Sequence, residues 1–398
     1  SWAKVGHDTW PYLLQLMYEM APHNFGKYPM ASITNDVIPN KKLKPTMTNS
    51  VELGFELKFL NNRIGLDVTY YNQHSRDQIL RMNTAHGSGY RFKMVNAGDI
   101  ENRGIELVLN TRPIVLKDFS WDLNINFAKN ANKVKRLANG IDEFELASAR
   151  WLGVKVVAKV GENYGCIMGK DFLRNENGDI IIDGTTGLPK MTDDLKVLGN
   201  ATWDWTGGLT TNFRYKNISL GAIFDVKVGA DLYSMSARSA YSTGKHKETL
   251  EGREGWYRSE EKRLAAGVAP KKWKPTGGYI AKGVIKQADG TYKPNDIYVN
   301  PQEYWSYVTT QTARPFIYDN SYVKLRELTL SYAFPKQMLG KVVNSLSISF
   351  VARNLFNIYK NVPNIDPDSN YNNGTGMGLE FGSLPSRRSF GLNVNLKF

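Results

Sequence analysis

Apolar and polar positions alternate through most of the chain. Val51, Leu53, Phe55, Leu57 and Phe59 are separated by Glu52, Gly54, Glu56 and Lys58. After Asn61-Asn62, the residues Ile64, Leu66, Val68 and Tyr70 are separated by Gly65, Asp67 and Thr69. A side-chain period of two belongs to a strand with one greasy and one wet face. An Asn-Asn pair between two such runs is a two-residue hairpin signal. The pattern returns in Ile105, Leu107 and Leu109, in Trp121, Leu123, Ile125 and Phe127, and in Trp203, Trp205, Leu209, Phe213 and Tyr215. It returns again in Leu346, Ile348 and Phe350, and the last strand carries Phe390, Leu392, Val394, Leu396 and Phe398 against Gly391, Asn393, Asn395 and Lys397. No segment shows a helical repeat.

The connections are of two kinds. Asn61-Asn62, 112–118, Lys216-Asn217 and 335–344 are tight; 81–98, 132–149, 175–199, 235–316 and 359–385 are long. Strict alternation of short and long requires one more hairpin in 150–174, near Val160-Gly161-Glu162-Asn163, and then about 11 strands emerge. Long strands with one apolar face, short turns at one end and long loops at the other describe an all-β protein, a transmembrane antiparallel β-barrel. A soluble sandwich would use shorter strands and loops of similar length at both ends. Tyr70, Tyr71, Trp203, Trp205, Tyr215, Tyr332, Phe334, Phe356, Tyr359 and Phe398 stand near strand ends, where interfacial girdles form; the competing reading is ordinary core packing. An odd strand count without a first partner implies that the chain is part of a larger barrel, since a sheet in lipid must close.

Composition narrows the chemistry. The 398 residues include 21 Tyr, 17 Phe, 9 Trp and 35 Gly. No run approaches the roughly 18 apolar residues of a membrane helix. The formal net charge is +13, but the cations are scattered, with Lys271-Lys272-Trp273-Lys274 the densest group. That pattern suits a solvated surface or lumen rather than nucleic acid. A lone Cys166 excludes an intrachain disulfide and any multi-cysteine metal site. His7, His23, His74, His86 and His246 form no i,i+4 pair, and Cys166 has no local dyad partner, so no catalytic role is read. The segments 175–179 and 366–370 are rich in Asp and Asn but lack Gly at the sixth and Glu at the twelfth position of a calcium loop, so they read as Asx turns, with an irregular calcium site as the competing reading. Ser1 is followed by no charged and apolar leader, so the expectation is a processed or partial polypeptide.

Particular words then carry a resemblance. Residues 96–107 (NAGDIENRGIEL), 318–332 (YDNSYVKLRELTLSY), 352–356 (ARNLF), 364–367 (NIDP) and 384–391 (LPSRRSFG) occur in the order found in SusC-like TonB-dependent outer-membrane transporters of Bacteroidetes. Ser1 to Gly6 also resembles the end of an earlier barrel strand of that family. The resemblance covers nearly all of the chain, least clearly 235–316. It implies a barrel of about 22 strands, of which this chain would supply the C-terminal ones. Residues 1–47 would hold a strand end and an extracellular loop, and 48–398 the remaining strands. The signal peptide, TonB box and plug domain would lie outside this sequence.

The same resemblance implies an outer-membrane importer; the residues themselves suggest no enzyme, cofactor or metal. Its partners would be a SusD-like lipoprotein lid, the TonB-ExbB-ExbD complex through the N-terminal region, the N-terminal half of the same barrel, membrane lipid and a second copy in a dimeric complex. Its cargo would be nutrient glycans or oligopeptides. Within 235–316, Trp256, Tyr257, Trp273, Tyr298 and Trp305 are the candidate cargo or lid contacts, because flat rings stack on sugar faces and suit peptides beside Arg253, Arg258 and Lys274. The competing reading is that these rings pack a large loop. Charges on the wet face, such as Glu52, Glu56, Asp67, Glu106 and Arg214, would line the lumen. The last strand resembles the signal that such barrels present for insertion. The rival functions are a passive porin-like channel, a soluble glycan-binding β protein and an adhesin-type barrel.

Overall fold

A computed structural model describes residues 1–9, 14–33, 36–138, 140–148, 153–370, 372 and 374–398. Ten strands form one sheet: β1 (Trp2–His7), β2 (Thr46–Phe59), β3 (Ile64–Arg76), β4 (Asp99–Val115), β5 (Phe119–Arg136), β6 (Trp205–Tyr215), β7 (Ile218–Val228), β8 (Tyr322–Ala333), β9 (Ser345–Lys360) and β10 (Ser389–Lys397). They lie side by side in chain order, each antiparallel to the next.

Pairing fixes which side chains share a face. Phe55, Val68, Leu107 and Phe127 stand opposite one another across β2 to β5. Phe213, Leu220, Leu330, Phe350 and Leu392 do so across β6 to β10, and Trp121 joins the rows by stacking on Phe213 at 5.5 Å. The alternation in each strand thus becomes one continuous apolar surface, because a slip of one residue would turn a strand's whole apolar set to the other side. That surface is uncovered: Phe55 is 65% and Leu392 71% exposed. The opposite face carries carboxylates, amides and ion pairs such as Glu56–Lys58 at 2.7 Å.

The tight connections all fall at one end of this wall. Between β2 and β3, Leu60, Asn61 and Asn62 take φ of 51°, 55° and 62°, a left-handed run that Asn tolerates. Lys216 at φ 51° turns β6 into β7. The connections 8–45, 77–98, 137–204, 229–321 and 361–388 all fall at the other end. The four tight turns agree with the sequence reading, and the long segment 235–316 lies inside 229–321.

The strand count differs by one from the reading of eleven. The hairpin sought in 150–174 exists as Lys155–Lys159 and Tyr164–Gly169, while 150–152 lie outside the described residues. It belongs to a separate four-stranded sheet with Glu143–Ser148 and Lys196–Asn200, and β1 takes a place in the wall instead. The hairpin's strands are of five and six residues, short of the roughly 9–11 that cross a bilayer. Their apolar runs are also continuous rather than alternating: Val156 and Val157 pair with Ile167 and Cys166, and these four are buried together with Ala158 and Met168. Burial on both sides marks a strand inside a packed layer.

That layer is part of a cap over the long-loop end. Its core gathers Val154, Val156, Ile167 and Leu198 from 137–204, Tyr233, Tyr241, Trp305, Val308 and Phe316 from 229–321, and Leu379 from 361–388. Among the described residues three α-helices stand in it: α1 (Met235–Ser242), α2 (Arg253–Ala265) and α3 (Pro301–Gln311). The reading without helices is corrected here. α2 is polar on every side and buries only Ser259, so its sequence presents no apolar stripe; α3 buries Tyr304, Trp305 and Val308 within three turns.

Candidate functional site

Two constellations stand out at the loop end. The first is an aromatic cleft of about 250 Å³ between the helices. α1 begins at Ser234, whose hydroxyl accepts from Ala237 N at 3.0 Å. α3 begins at Asn300, whose side chain accepts from Gln302 N at 2.9 Å, followed by Pro301, which needs no hydrogen-bond partner at that position. α2 enters through Gly252 at φ 78°, where a Cβ would meet the Gly278 backbone at 2.6 Å. These three starts aim Tyr241, Trp256, Tyr257 and Trp305 at one space, with Arg253 and Gln302 on its rim.

The cleft wall is rigid. Tyr241 lies between His246 at 4.1 Å and Trp305 at 4.6 Å, and its hydroxyl donates to Glu248 Oε2 at 2.7 Å. Burial, reinforced by that carboxylate, pushes the Tyr241 hydroxyl well above the usual phenol range. Arg253 donates to Thr249 O at 2.7 Å and to Gly244 O at 2.8 Å, so its guanidinium braces the α1–α2 connection.

Of the five sequence candidates, Trp256, Tyr257 and Trp305 line this cleft. Tyr257 is 66% exposed, whereas Trp305 is buried in the cap core. Trp273 and Tyr298 stand apart from it. Trp273 donates to Ser259 Oγ at 3.1 Å and packs on α2; Tyr298 is exposed beside Gly278. Core packing therefore accounts for Trp305, and for Tyr304 and Tyr279 at 5.0 and 6.1 Å from it.

The second constellation was missed in the sequence. Asp225 of β7, Tyr322, Lys324 and Arg326 of β8, and Asp366, Asp368 and Ser386 of 361–388 meet on the polar face of the wall. Lys324 Nζ donates to Asp368 at 2.7 Å, to Ser386 Oγ at 2.6 Å and to Asp366 at 3.3 Å. Arg326 grips both oxygens of Asp368, at 2.5 and 2.8 Å, and reaches Asp225 at 2.5 Å. The Tyr322 hydroxyl is 2.8 Å from Asp368. The Lys324 side chain is 2% exposed. A β-bulge makes this cluster: against β7, Phe224 pairs with Leu325 and Ile223 with Glu327, which leaves Arg326 as the extra residue, so Arg326 and Glu327 point to the same side. Burial alone would push the Asp366 and Asp368 carboxyls up. Hydrogen bonds from Arg326, Lys324 and Tyr322 to Asp368, and from Ser386 to Asp366, outweigh it and hold both below the usual carboxylate range. Three of the words that carried the resemblance, 318–332, 364–367 and 384–391, thus converge on one knot.

The segment 361–388 has a second anchor. Glu380, 1% exposed, accepts from Ser234 Oγ at 2.8 Å, Ser236 Oγ at 2.7 Å and Ser236 N at 3.1 Å at the start of α1, where a negative charge is favoured. In 175–179, Asn175 Oδ1 accepts from Asn177 N and Asp179 N, an Asx turn. Cys166 is buried, and burial, with Glu162 nearby, pushes its thiol up to about 11, so its thiolate is not available. Among the girdle aromatics, Tyr71 and Trp203 are placed differently. Tyr71 lies over Gly104 on the polar face, where any Cβ would stand 2.5 Å from its ring, and Trp203 packs edge-on against Tyr322 at 5.9 Å.

At the far edge, β10 pairs with β9 through Leu346↔Leu396, Ile348↔Val394, Phe350↔Leu392 and Ala352↔Phe390. Phe390, Leu392, Val394, Leu396 and Phe398 are all exposed on the apolar side. Among the described residues, the other edge of β10 and that of β1 have no partner strand.

A meander of long antiparallel strands with an uncovered apolar face, short turns at one end and a folded cap at the other is a segment of a transmembrane β-barrel. The chain belongs to the TonB dependent receptor-like β-barrel family, whose model matches residues 17–355. It is 26% identical over 386 residues to TonB-dependent receptor P3 of Formosa agariphila, covering 90% of this chain and 35% of that protein. It is 30% identical over 189 residues to TonB-dependent receptor SusC of Bacteroides thetaiotaomicron, covering 45% of this chain and 19% of that protein. The RagAB peptide importer in its closed-closed state has the same fold, with a TM-score of 0.71, 17% identity, and coverage of 100% of this chain and 40% of that one. The chain spans about a third of the length of the longest-matching curated relatives.

Proposed function

We propose that this chain is the C-terminal wall and extracellular cap of an outer-membrane importer, not an enzyme, that takes up nutrient glycans or oligopeptides. Import is energised by the TonB-ExbB-ExbD complex acting through a plug in the N-terminal region, and a SusD-like lipoprotein closes over the cap. The two open edges of the sheet, at β1 and β10, join the N-terminal half of the same barrel, and two such barrels pair in a dimeric complex. The observation that carries this reading is the asymmetry of the wall: four tight turns at one end, and at the other the long loops, which fold a shared core. Such a cap presents rings to the outside while the wall faces lipid. The cleft beside Tyr257 and Trp256 is its cargo or lid contact, with Trp305 supporting it from the cap core, while Trp273 and Tyr298 lie outside it.

The test is uptake by cells carrying the full-length protein, with and without a functional TonB system, together with mass spectrometry of ligand co-purified with the intact complex. TonB-dependent uptake of a co-purified glycan or peptide is expected. Uptake that persists without TonB would make the protein a passive channel, and recovery in a detergent-free soluble fraction would make it a soluble binding protein. The terminal strand gives a separate prediction. Phe398→Ser should lower the outer-membrane level of the protein more than it changes cargo affinity per assembled barrel; normal levels on immunoblots of outer-membrane fractions would contradict an insertion role for this strand.

A further inference from the structure

Above the apolar belt, the lipid side of the wall changes character in one place. On β3 the outward positions run Ile64, Leu66, Val68 and Tyr70, then Asn72, His74 and Arg76; on β4 Leu109, Leu107 and Ile105 are followed by Arg103, Glu101 and Asp99. On β5, Ile125 and Phe127 are followed by Lys129, Ala131, Lys133 and Lys135. This polar extension stands at the long-loop end, where headgroups of the outer leaflet meet the wall. Lys135 pairs with Glu101 at 2.5 Å and Arg76 approaches Asp99 at 4.0 Å. Arg103, Lys129 and Lys133 are exposed and have no ion-pair partner among the described residues. Asn49 Oδ1 and Asn72 Oδ1 of the same patch are buried without a hydrogen-bond partner, although buried polar groups are nearly always paired, and the His74 ring lies 3.9 Å from Asp99 and 3.6 Å from Glu101.

We propose that this patch on β2 to β5 is a seat for the phosphorylated headgroup of an outer-leaflet glycolipid. It presents an excess of positive charge directly above the apolar belt, so one molecule can lay its acyl chains on Tyr70, Ile105 and Phe127 and its phosphate against Arg103, Lys129 and Lys133. Basic side chains at a membrane surface act in this way on anionic lipid. The rest of the wall lacks an equivalent cluster among the described outward positions: β9 and β10 end at this level on Phe356, Tyr359 and Phe390.

The inference rests on the outer-membrane reading, and the test separates the two. The full-length protein and its R103Q/K129Q/K133Q variant are purified in mild detergent and titrated with the host's phosphorylated outer-leaflet glycolipid, with the same lipid after phosphatase treatment, and with inorganic phosphate. The wild type should retain the phosphorylated lipid through purification, and the variant should bind it roughly tenfold more weakly or worse, each cation near a surface contributing separately. The dephosphorylated lipid should bind the wild type as weakly as the phosphorylated lipid binds the variant. Equal binding by the variant, equal binding of the dephosphorylated lipid, or occupancy by inorganic phosphate with no preference for lipid would each overturn the proposal. Heat-modifiable gel mobility is read on the same samples: its loss in the wild type overturns the barrel reading and this seat together, whereas intact mobility with unchanged lipid binding overturns the seat alone.

Discussion

Phe55 in the wall is 65% exposed, and Phe316 in the cap is fully buried. The two rings serve different solvents. The wall has no interior of its own: its side chains form two surfaces, one for lipid and one for the lumen, and its backbone ladder holds them in phase. The cap is an aqueous domain in miniature, with Tyr233, Val308 and Phe316 packed out of water between three loops. A wall residue is therefore constrained by its parity, and a cap residue by its neighbours. Substitutions should separate the regions accordingly.

The largest effect is expected from Asp368→Ala. It leaves Lys324 and Arg326 short of their shared carboxylate in a largely buried site, which costs about 3–5 kcal/mol. Proteolysis of 361–388 and of α1 should accelerate while heat-modifiable mobility of the wall persists; simultaneous loss of both would mean that wall and cap are one cooperative unit. The same knot sets a pH dependence. Because Asp366 and Asp368 have depressed carboxyl pKa values in the folded protein, their contribution is complete above the unfolded value near pH 4 and is lost as pH falls below it. Acid should thus loosen the cap before the wall, as hydrogen exchange of 361–388 would record.

Phe316→Ala comes next, at about 3 kcal/mol from cavity formation, and it should act equally in detergent and in bilayers. Leu330→Arg is its counterpart in the wall, at about 2–3 kcal/mol. That cost should appear in bilayers, where Leu330 stands between Leu220 and Phe350 on the apolar side, and shrink in detergent; an equal cost in both would deny the lipid contact. The smallest effect is expected from Glu380→Gln, about 1 kcal/mol, seen as faster exchange in α1 alone.

This division also explains what could be read from the sequence. The wall was legible because its information is local: parity in Val51 to Phe59 and in Phe390 to Phe398 survives any view of distant contacts. The cap was not, because its elements are fixed by partners far away in the chain. α2 shows no stripe because it buries one serine. The hairpin at Lys155 to Gly169 imitated wall strands in position, and only its continuous apolar runs gave it away. Lys324, Arg326, Asp366 and Asp368 were visible as words of a resemblance and as an acidic turn, but nothing local says that a bulge turns two cations toward that turn. Trp305 was selected as an aromatic in a long loop, and its burial depends on Tyr241 and Tyr279, more than twenty residues away.

The bulge at Arg326 has a consequence for how β8 can vary. Toward the turn end, Leu328, Leu330 and Tyr332 face the apolar side; toward the cap, Tyr322 and Lys324, which have the same parity, face the other. One ribbon is read in two frames, and Arg326 is the inserted letter. Deleting that single residue would restore one frame throughout, and either the lipid side or the knot would have to receive the wrong half of the strand. Substitutions along β8 can drift, but its length on either side of this point cannot.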